Sequence, residues 1–443
     1  MAAHARVAPL RPAIVHNGIP VSYGQLAANL GAVRRRLGPR PGTVTVDARH
    51  DPATIAALLG IWAAGGAYCP LDPAFPPARR EAMRRAVAEP GDAAGDEDGL
   101  AYILFTSGST GAPKPVATPC AAIETVAPAL AELFGLTAAD RVLQFASLNW
   151  DTCFEEIVPT LLAGAAVVLA DDAHSGSFPR LLRAVERDEV SVLNLPTAFW
   201  HELVRHLAAT GHGLPASVRL VVIGGEAVAP ARLAEWSGLP GTRGVRLLNT
   251  YGCTETTLIT HAAELPGDGA PIGRALPHVR ERIEADGELL IGGPALARGY
   301  LGRPAETAER FVERDGERWF RTGDLVSRRG DGLLVHEGRR DRQVKIRGIR
   351  VDPGEIEARL AEHPGVRGAA VVASVRGGQT SLTAYVVTTH ETGDLADIAA
   401  FVRTHLPGHL VPARIEKVDA LAYTASGKVD RSATAQAHEE ALR

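Results

Sequence analysis

From about residue 100 onward, short apolar runs alternate with helical stretches, and that alternation narrows the possible folds more than any other feature of the chain. Runs at 100–105, 141–146, 166–170, 190–195, 220–223 and 245–248 read as buried strands, and 121–134, 151–162, 178–187 and 197–206 read as the helices between them. The expected fold class is α/β, with layered sheets and helices. After Trp319 the texture changes to short Gly- and Arg-rich segments, with turns marked by Gly323-Asp324, Gly330-Asp331-Gly332 and Gly338-Arg339-Arg340-Asp341. A small α+β pattern follows: a helix at 353–360, strands at 369–374 and 382–387, and a helix at 395–406. At 443 residues the chain is long for a single core, so a large N-terminal domain over 1–340 and a small C-terminal domain over 341–443 are expected. The acidic stretch 89–98 reads as a solvated linker.

A formal net charge of −4 supplies no basic face for nucleic acid. No apolar run is long enough to span a bilayer, and the first residues lack the layout of a secretory signal, so a cytoplasmic protein without membrane or nucleic-acid partners is expected. Cys69, Cys120, Cys153 and Cys253 form no CxxC pair and read as free thiols.

Positive charge is supplied almost entirely by arginine: forty-three arginines stand against four lysines, Lys114, Lys345, Lys417 and Lys428. Three of the four lie in Gly-rich, loop-like stretches, where a slim point charge can serve phosphate or carboxylate better than a planar fork. Lys114 closes Thr106-Ser107-Gly108-Ser109-Thr110-Gly111-Ala112-Pro113-Lys114, which follows a predicted strand. Its hydroxyls and Gly-freed N–H groups suit an anion nest, although the spacing is not that of a Walker A loop.

Leu100-Ala-Tyr-Ile-Leu-Phe-Thr-Ser-Gly-Ser-Thr-Gly-Ala-Pro-Lys114 resembles the signature of the adenylate-forming superfamily, specifically the amino-acid adenylation domains of nonribosomal peptide synthetases. Further signatures follow in that family's order. They are Val21-Ser-Tyr-Gly-Gln-Leu26, Ala63-Ala-Gly-Gly-Ala-Tyr-Cys-Pro-Leu-Asp72, Asn249-Thr-Tyr-Gly-Cys-Thr-Glu-Thr-Thr257 and Gly287-Glu-Leu-Leu-Ile-Gly-Gly-Pro-Ala-Leu-Ala-Arg-Gly-Tyr300. Arg321-Thr-Gly-Asp-Leu325, Gly338-Arg-Arg-Asp-Arg-Gln-Val-Lys-Ile-Arg-Gly348, Leu406-Pro-Gly-His-Leu-Val-Pro412 and Ser426-Gly-Lys-Val-Asp-Arg431 complete the set. The resemblance covers nearly the whole chain.

Such enzymes join a carboxylate to the α-phosphate of ATP, release pyrophosphate, and pass the acyl group to a thiol. The resemblance implies that Lys428 is catalytic, bridging the substrate carboxylate and the ribose or phosphate oxygens. It assigns the nucleotide to Thr106, Ser107, Gly108, Ser109, Thr110, Gly111 and Lys114, together with Gly225, Glu226, Asn249, Thr250, Tyr251, Thr254, Asp324 and Arg339. Tyr251 would stack on adenine, Asn249 would meet its exocyclic amine, and Asp324 would accept both ribose hydroxyls. Glu255 would hold Mg²⁺, a hard cation that takes one carboxylate beside phosphate oxygens. Asp341 would be the hinge on which a mobile C-terminal domain turns, and Lys345 would serve the thiol-transfer face or the nucleotide.

Asp151 and Glu155 stand four residues apart on one helix face, where like charges repel unless a cation lies between them. By resemblance Asp151 binds the substrate's amino group, and Glu155, Thr152, Asn194, Val222, Gly224, Thr250, Leu258 and Ile259 line the side-chain pocket. Glu156 matches an acid common to the family and reads no specificity. Two carboxylates with a polar floor of Asn194 and Thr250 imply a diamino acid. Each ammonium–carboxylate contact at roughly 4 Å would gain about 4 kcal/mol at an effective dielectric near 20, before desolvation. A neutral substrate is expected to leave Glu155 buried without a partner. The lining most resembles that of β-lysine-activating domains, except that Asn194 stands where an acid is expected.

Pro115 replaces a glycine after the phosphate-loop lysine and removes one N–H, His336 stands where an aromatic residue packs near ribose, and 72–100 is short for the family. No Ser-centred phosphopantetheine site follows the last motif, so a carrier protein acting in trans is expected. An acyl-CoA ligase shares the fold and the first half-reaction, but Asp151 argues against it because a simple acid has no amine to bind. A nucleotide-binding protein of weak catalysis is favoured by Pro115 alone.

Overall fold

The computed structural model describes residues 1–88, 99–106, 113–265, 269–340, 343–346, 349–376, 379–389, 394–423 and 429–441. The chain divides into two units, Met1–Pro73 with Ala86–Leu104 and Pro115–Arg340, and Ala74–Arg85 with Phe105–Lys114 and Asp341–Arg443. The fold is the α/β adenylate-forming one, with a large N-terminal domain and a smaller C-terminal domain.

The largest sheet, of nine strands, runs in the order 274–275, 259–264, 246–252, 220–224, 192–196, 141–143, 166–169, 12–16, 19–22. Its inner pairs are parallel and both edges are antiparallel. The inner strands are apolar on both faces, as a sheet covered on both sides must be. Val192, Leu220, Val222 and Leu248 face one core with Phe154 and Ile157, while Leu193, Val221, Ile223 and Leu247 face a second core with Trp200 and Leu203.

The helix Thr152–Leu162 is buried along nearly its whole length, and Pro159 inside it removes one backbone donor. Phe154 on this helix stacks on Tyr102 with centroids 4.3 Å apart, joining it to the sheet built from strands 43–47, 67–71, 100–106, 114–119 and 299–300. A third, antiparallel sheet contains strands 280–283, 288–292, 317–328, 311–314 and 334–339. The sequence pattern does not mark this sheet, because strands such as Arg280–Ile283 are short and carry consecutive charged residues.

Two predicted boundaries move in an informative way. The strand read at 245–248 extends over Arg246–Gly252, so Asn249, Thr250 and Tyr251 lie within a strand. The helix read at 197–206 runs on to Thr210, where Gly211 ends it in a left-handed conformation.

The second unit holds a three-stranded sheet of strands 366–376, 379–388 and 414–417, a hairpin of strands 344–346 and 349–351, and helices Pro353–Ala361, Leu395–His405 and Arg431–Ala441. Val351, Ile356, Val371, Ala384 and Val402 form its core. Arg79 in the same unit donates to the buried Glu355 at 2.7 Å.

Candidate active site

Three adjacent parallel strands, 192–196, 220–224 and 246–252, carry Asn194, Val222, Gly224, Asn249, Thr250 and Tyr251 in their middle and C-terminal parts, where an open α/β sheet favours a site. Asn194 pairs with Val222, and Gly224 pairs with Thr250. With alternation along each strand, Asn194, Val222, Gly224 and Thr250 share the face that Val192, Leu220 and Leu248 turn toward the helix Thr152–Leu162. Gly224 has no room for a side chain, because a Cβ would stand 2.6 Å from the Thr250 hydroxyl, which donates to the Ile223 carbonyl. Gly225 follows with a positive φ, and Glu226 is half-buried beside it.

Tyr251 and Asp324 come together in the structure. The Tyr251 hydroxyl donates to Asp324 Oδ2 at 2.6 Å, while Asp324 Oδ1 accepts from Arg339 Nη1 at 2.5 Å and faces His336 Nε2 at 3.1 Å. Arg339 is the cross-strand partner of Asp324, so strand register itself supplies the ion pair. Asn249 donates its amide to the Pro271 carbonyl at 2.8 Å, which leaves its own carbonyl oxygen as the acceptor suited to an amine.

Beyond the strand, Thr254 and Glu255 lie in a short 3₁₀ turn, and Glu255 is fully buried. Tyr300 donates to Glu255 at 2.8 Å. The turn is tightly built: a Cβ on Gly252 would lie 2.0 Å from the Leu258 carbonyl oxygen, and Thr257 and Leu258 both have left-handed φ. Strained backbone of this kind gathers at functional sites, and here it delivers Leu258 and Ile259 into the core beside the helix Thr152–Leu162. Among the described residues no three His, Cys, Asp or Glu side chains cluster as a metal cage. One buried carboxylate is instead the donor set that Mg²⁺ takes when phosphates supply the rest, so Glu255 fits that ion.

On the acidic side, Asp151 is the residue before the helix and Thr152 its first, with Glu155 one turn on and buried. Asn194 Nδ2 donates to Glu155 Oε2 at 2.9 Å. This overturns the expectation that a neutral substrate leaves Glu155 without a partner, and it gives the departure at Asn194 a role as the amide that holds the acid. Burial pushes the Glu155 carboxyl well above the usual range; the Asn194 bond opposes the shift, and Asp151 and Glu156 add to it. Glu156 faces away from this chemistry, accepting from Gln144 Nε2 at 2.9 Å and from the Ala146 N–H at 3.1 Å, and its carboxyl is pushed up to about 8 by burial.

Of the phosphate loop, Thr106 ends one strand, buried, and Lys114 begins another. Ser107, Gly108, Ser109, Thr110 and Gly111 lie outside the described residues, as do Lys428 and Asp341. Lys345 is half-buried on the hairpin of the second unit. Sequence reasoning missed three contacts: Tyr300 on Glu255, Gln144 on Glu156, and His261 on Glu281. Tyr300 carried a usable signal, since it closes the Ala297-Arg-Gly-Tyr300 segment of a quoted motif. The other two join residues on separate strands and helices, which no local pattern marks.

A family model described as AMP-binding enzyme matches residues 84–301, and one described as AMP-binding enzyme C-terminal domain matches 355–428. The chain belongs to this family of AMP-binding, adenylate-forming enzymes. It is similar to adenylation regions of nonribosomal peptide synthetases: 39% identity to an isonitrile lipopeptide synthase of Streptomyces coeruleorubidus, over 96% of this chain and 32% of that protein. It is 35% identical to the phenyloxazoline synthase MbtB of Mycobacterium tuberculosis, over 97% of this chain and 34% of the relative. The chain thus spans about a third of these two relatives. Among solved structures, the amide bond synthetase McbA of Marinactinospora thermotolerans superposes with a TM-score of 0.84 at 26% identity, covering 96% of this chain and 97% of that one. PA1221, a nonribosomal peptide synthetase protein containing adenylation and PCP domains, superposes at 0.83 with 25% identity, over 98% and 83% of the two chains. No helix among the described residues is long and apolar enough to cross a membrane.

Proposed function

We propose that the protein activates a basic diamino acid, β-lysine as first choice, forming the aminoacyl adenylate from ATP with release of pyrophosphate. It then passes the aminoacyl group to the phosphopantetheine thiol of a carrier protein, offered in trans. The observation that carries the substrate class is the pair of acids on one helical turn, Asp151 and the buried Glu155, the latter held by Asn194. Asp151 would take the amine near the reacting carboxylate and Glu155 the distal one. The similarity to synthetase adenylation regions and to PA1221 supports the carrier as acceptor.

In this mechanism Tyr251 supplies the adenine platform, Asp324 takes the ribose hydroxyls, and Arg339 holds that carboxylate in place. Glu255 would hold Mg²⁺, which supplies neutralisation of phosphate charge when bound. Thr106 and Lys114 would meet phosphate, and Lys428 would bridge the carboxylate and phosphoryl oxygens. The chemistry is alignment and charge balance rather than covalent catalysis by the protein.

Amino-acid-dependent ATP–pyrophosphate exchange over β-lysine, lysine, ornithine, diaminopropionate and neutral amino acids tests the reading. Diamino-acid turnover supports it. CoA-thioester formation from a simple acid would point to an acyl-CoA ligase, and exchange with no substrate at all would leave only nucleotide binding. Preference for a neutral polar amino acid would favour a second reading, in which Glu155 stays protonated and acts as a hydrogen-bond donor; burial favours that state, against the opposing pull of the Asn194 N–H.

A further inference from the structure

Behind Tyr251 stands a histidine that this nucleotide chemistry does not use. His261 is fully buried and lies directly opposite Tyr251 across the antiparallel strands 246–252 and 259–264. The two rings meet edge to face, with centroids 5.8 Å apart and planes at 72°. Both ring nitrogens have partners: Nε2 is 2.8 Å from Glu281 Oε2, and Nδ1 is 3.0 Å from Thr260 Oγ1.

Thr260 Oγ1 also lies 3.1 Å from the Tyr251 carbonyl, and Glu281 is also held by Arg328 Nη2 at 2.5 Å, so the His261 ring is tied at both nitrogens to groups that are themselves anchored.

Glu281 and Asp324 belong to the antiparallel sheet, and His261 and Tyr251 to the nine-stranded one. Two ties thus cross between these sheets from adjacent strands: Tyr251 to Asp324, and His261 to Glu281. We propose that His261, oriented by Glu281, is a positioning residue of the nucleotide site that fixes the plane of the Tyr251 ring relative to the Asp324 carboxylate. The proposal rests on the reading of Tyr251 as the adenine platform and Asp324 as the ribose acceptor.

The test compares the whole chain with His261→Leu, His261→Gln and Glu281→Gln, measuring KM for ATP and for the amino acid, AMP affinity by calorimetry, and melting temperature. Parent AMP binding comes first; if it is absent, the nucleotide reading itself fails, and the proposal with it, before any variant is compared. Given AMP binding, His261→Leu should raise the ATP KM and the AMP Kd about five- to tenfold, the worth of one edge-to-face ring contact, with the amino-acid KM within about twofold. His261→Gln keeps a donor for Glu281 and should recover part of the loss. Unchanged nucleotide constants in both His261→Leu and Glu281→Gln would overturn the proposal. So would nucleotide and amino-acid constants that rise together in step with a lost melting temperature, which marks a purely structural tie. Should the leucine variant fail to fold, the Glu281→Gln and His261→Gln measurements carry the decision.

Discussion

In the antiparallel sheet, three acids are each met by two basic side chains: Asp324 by Arg339 and His336, Glu288 by Arg321 and Arg340, and Glu281 by His261 and Arg328. On the helix Thr152–Leu162 the buried acids Glu155 and Glu156 are met by amide groups instead: Asn194, Gln144 and the Ala146 backbone. The consequence is visible in their protonation. Glu281 is held down to about 2, first by its bond to His261, whereas burial lifts Glu156 to about 8 and Glu155 well above its ordinary value. On the proposed reading a nucleotide would bring phosphate charge of its own to the side where the protein already balances its carboxylates. An amino-acid pocket for a cation gains selectivity by leaving its negative charge for the substrate to complete.

The comparison breaks most sharply at Asp324. Replacing it with Ala removes the proposed ribose acceptor and leaves Arg339 and the Tyr251 hydroxyl without this partner. Breaking one side of a buried pair costs about 3–5 kcal/mol, so kcat/KM for ATP in pyrophosphate exchange should fall by about a hundred- to several-thousandfold. A fall below tenfold would show that the carboxylate is only a strand-register contact with Arg339.

Glu155→Gln is the matching change on the other side. It keeps the shape and the Asn194 contact but removes the charge that a second ammonium would meet. Diamino-acid kcat/KM should drop by about thirty- to a hundredfold, and neutral amino acids should lose nothing, consistent with about 2–3 kcal/mol for a charged hydrogen bond. The apo variant should also melt higher than the parent at alkaline pH. A carboxyl raised by burial contributes stability below its ordinary value of 4.5 and loses it as pH rises toward its folded value, and Gln has no such loss. Equal diamino-acid turnover in parent and variant would remove Glu155 from the pocket chemistry.

How much of this could be read from the residues differs between the two halves. The strands at 192–196 and 220–224 and the helix Thr152–Leu162 were legible because burial on both sides leaves continuous apolar runs, and Asp151 and Glu155 stood out by their four-residue spacing. Tyr251, Asp324 and Arg339 were legible only through resemblance to a family, since nothing local ties position 251 to position 324. The antiparallel sheet behind them was not read as a sheet, because strands such as Arg280–Ile283 are rich in charge and short, and look like turns. The partners of that charge, Arg328 for Glu281 and Arg340 for Glu288, are fixed by sheet packing 47 and 52 residues away. Asn194 was read as a departure from a pattern; only its contact with Glu155 gives it a purpose.

The pH dependences of stability on the two sides should run in opposite directions. Glu156 is raised from 4.5 to about 8, so its contribution is complete below 4.5 and declines as pH rises through about 8, at up to about 1.4 kcal/mol per pH unit. Glu281 is depressed from 4.5 to about 2, so its contribution is present above 4.5 and lost as pH falls toward about 2. Its effect should be the weaker because solvent reaches the pair and screens it. Melting curves from pH 3 to 9 should therefore flatten on the alkaline side in Glu156→Gln and on the acid side in Glu281→Gln. If both variants flatten the same limb, the opposite treatment of charge on the two sides of the site is not what sets these carboxyls apart.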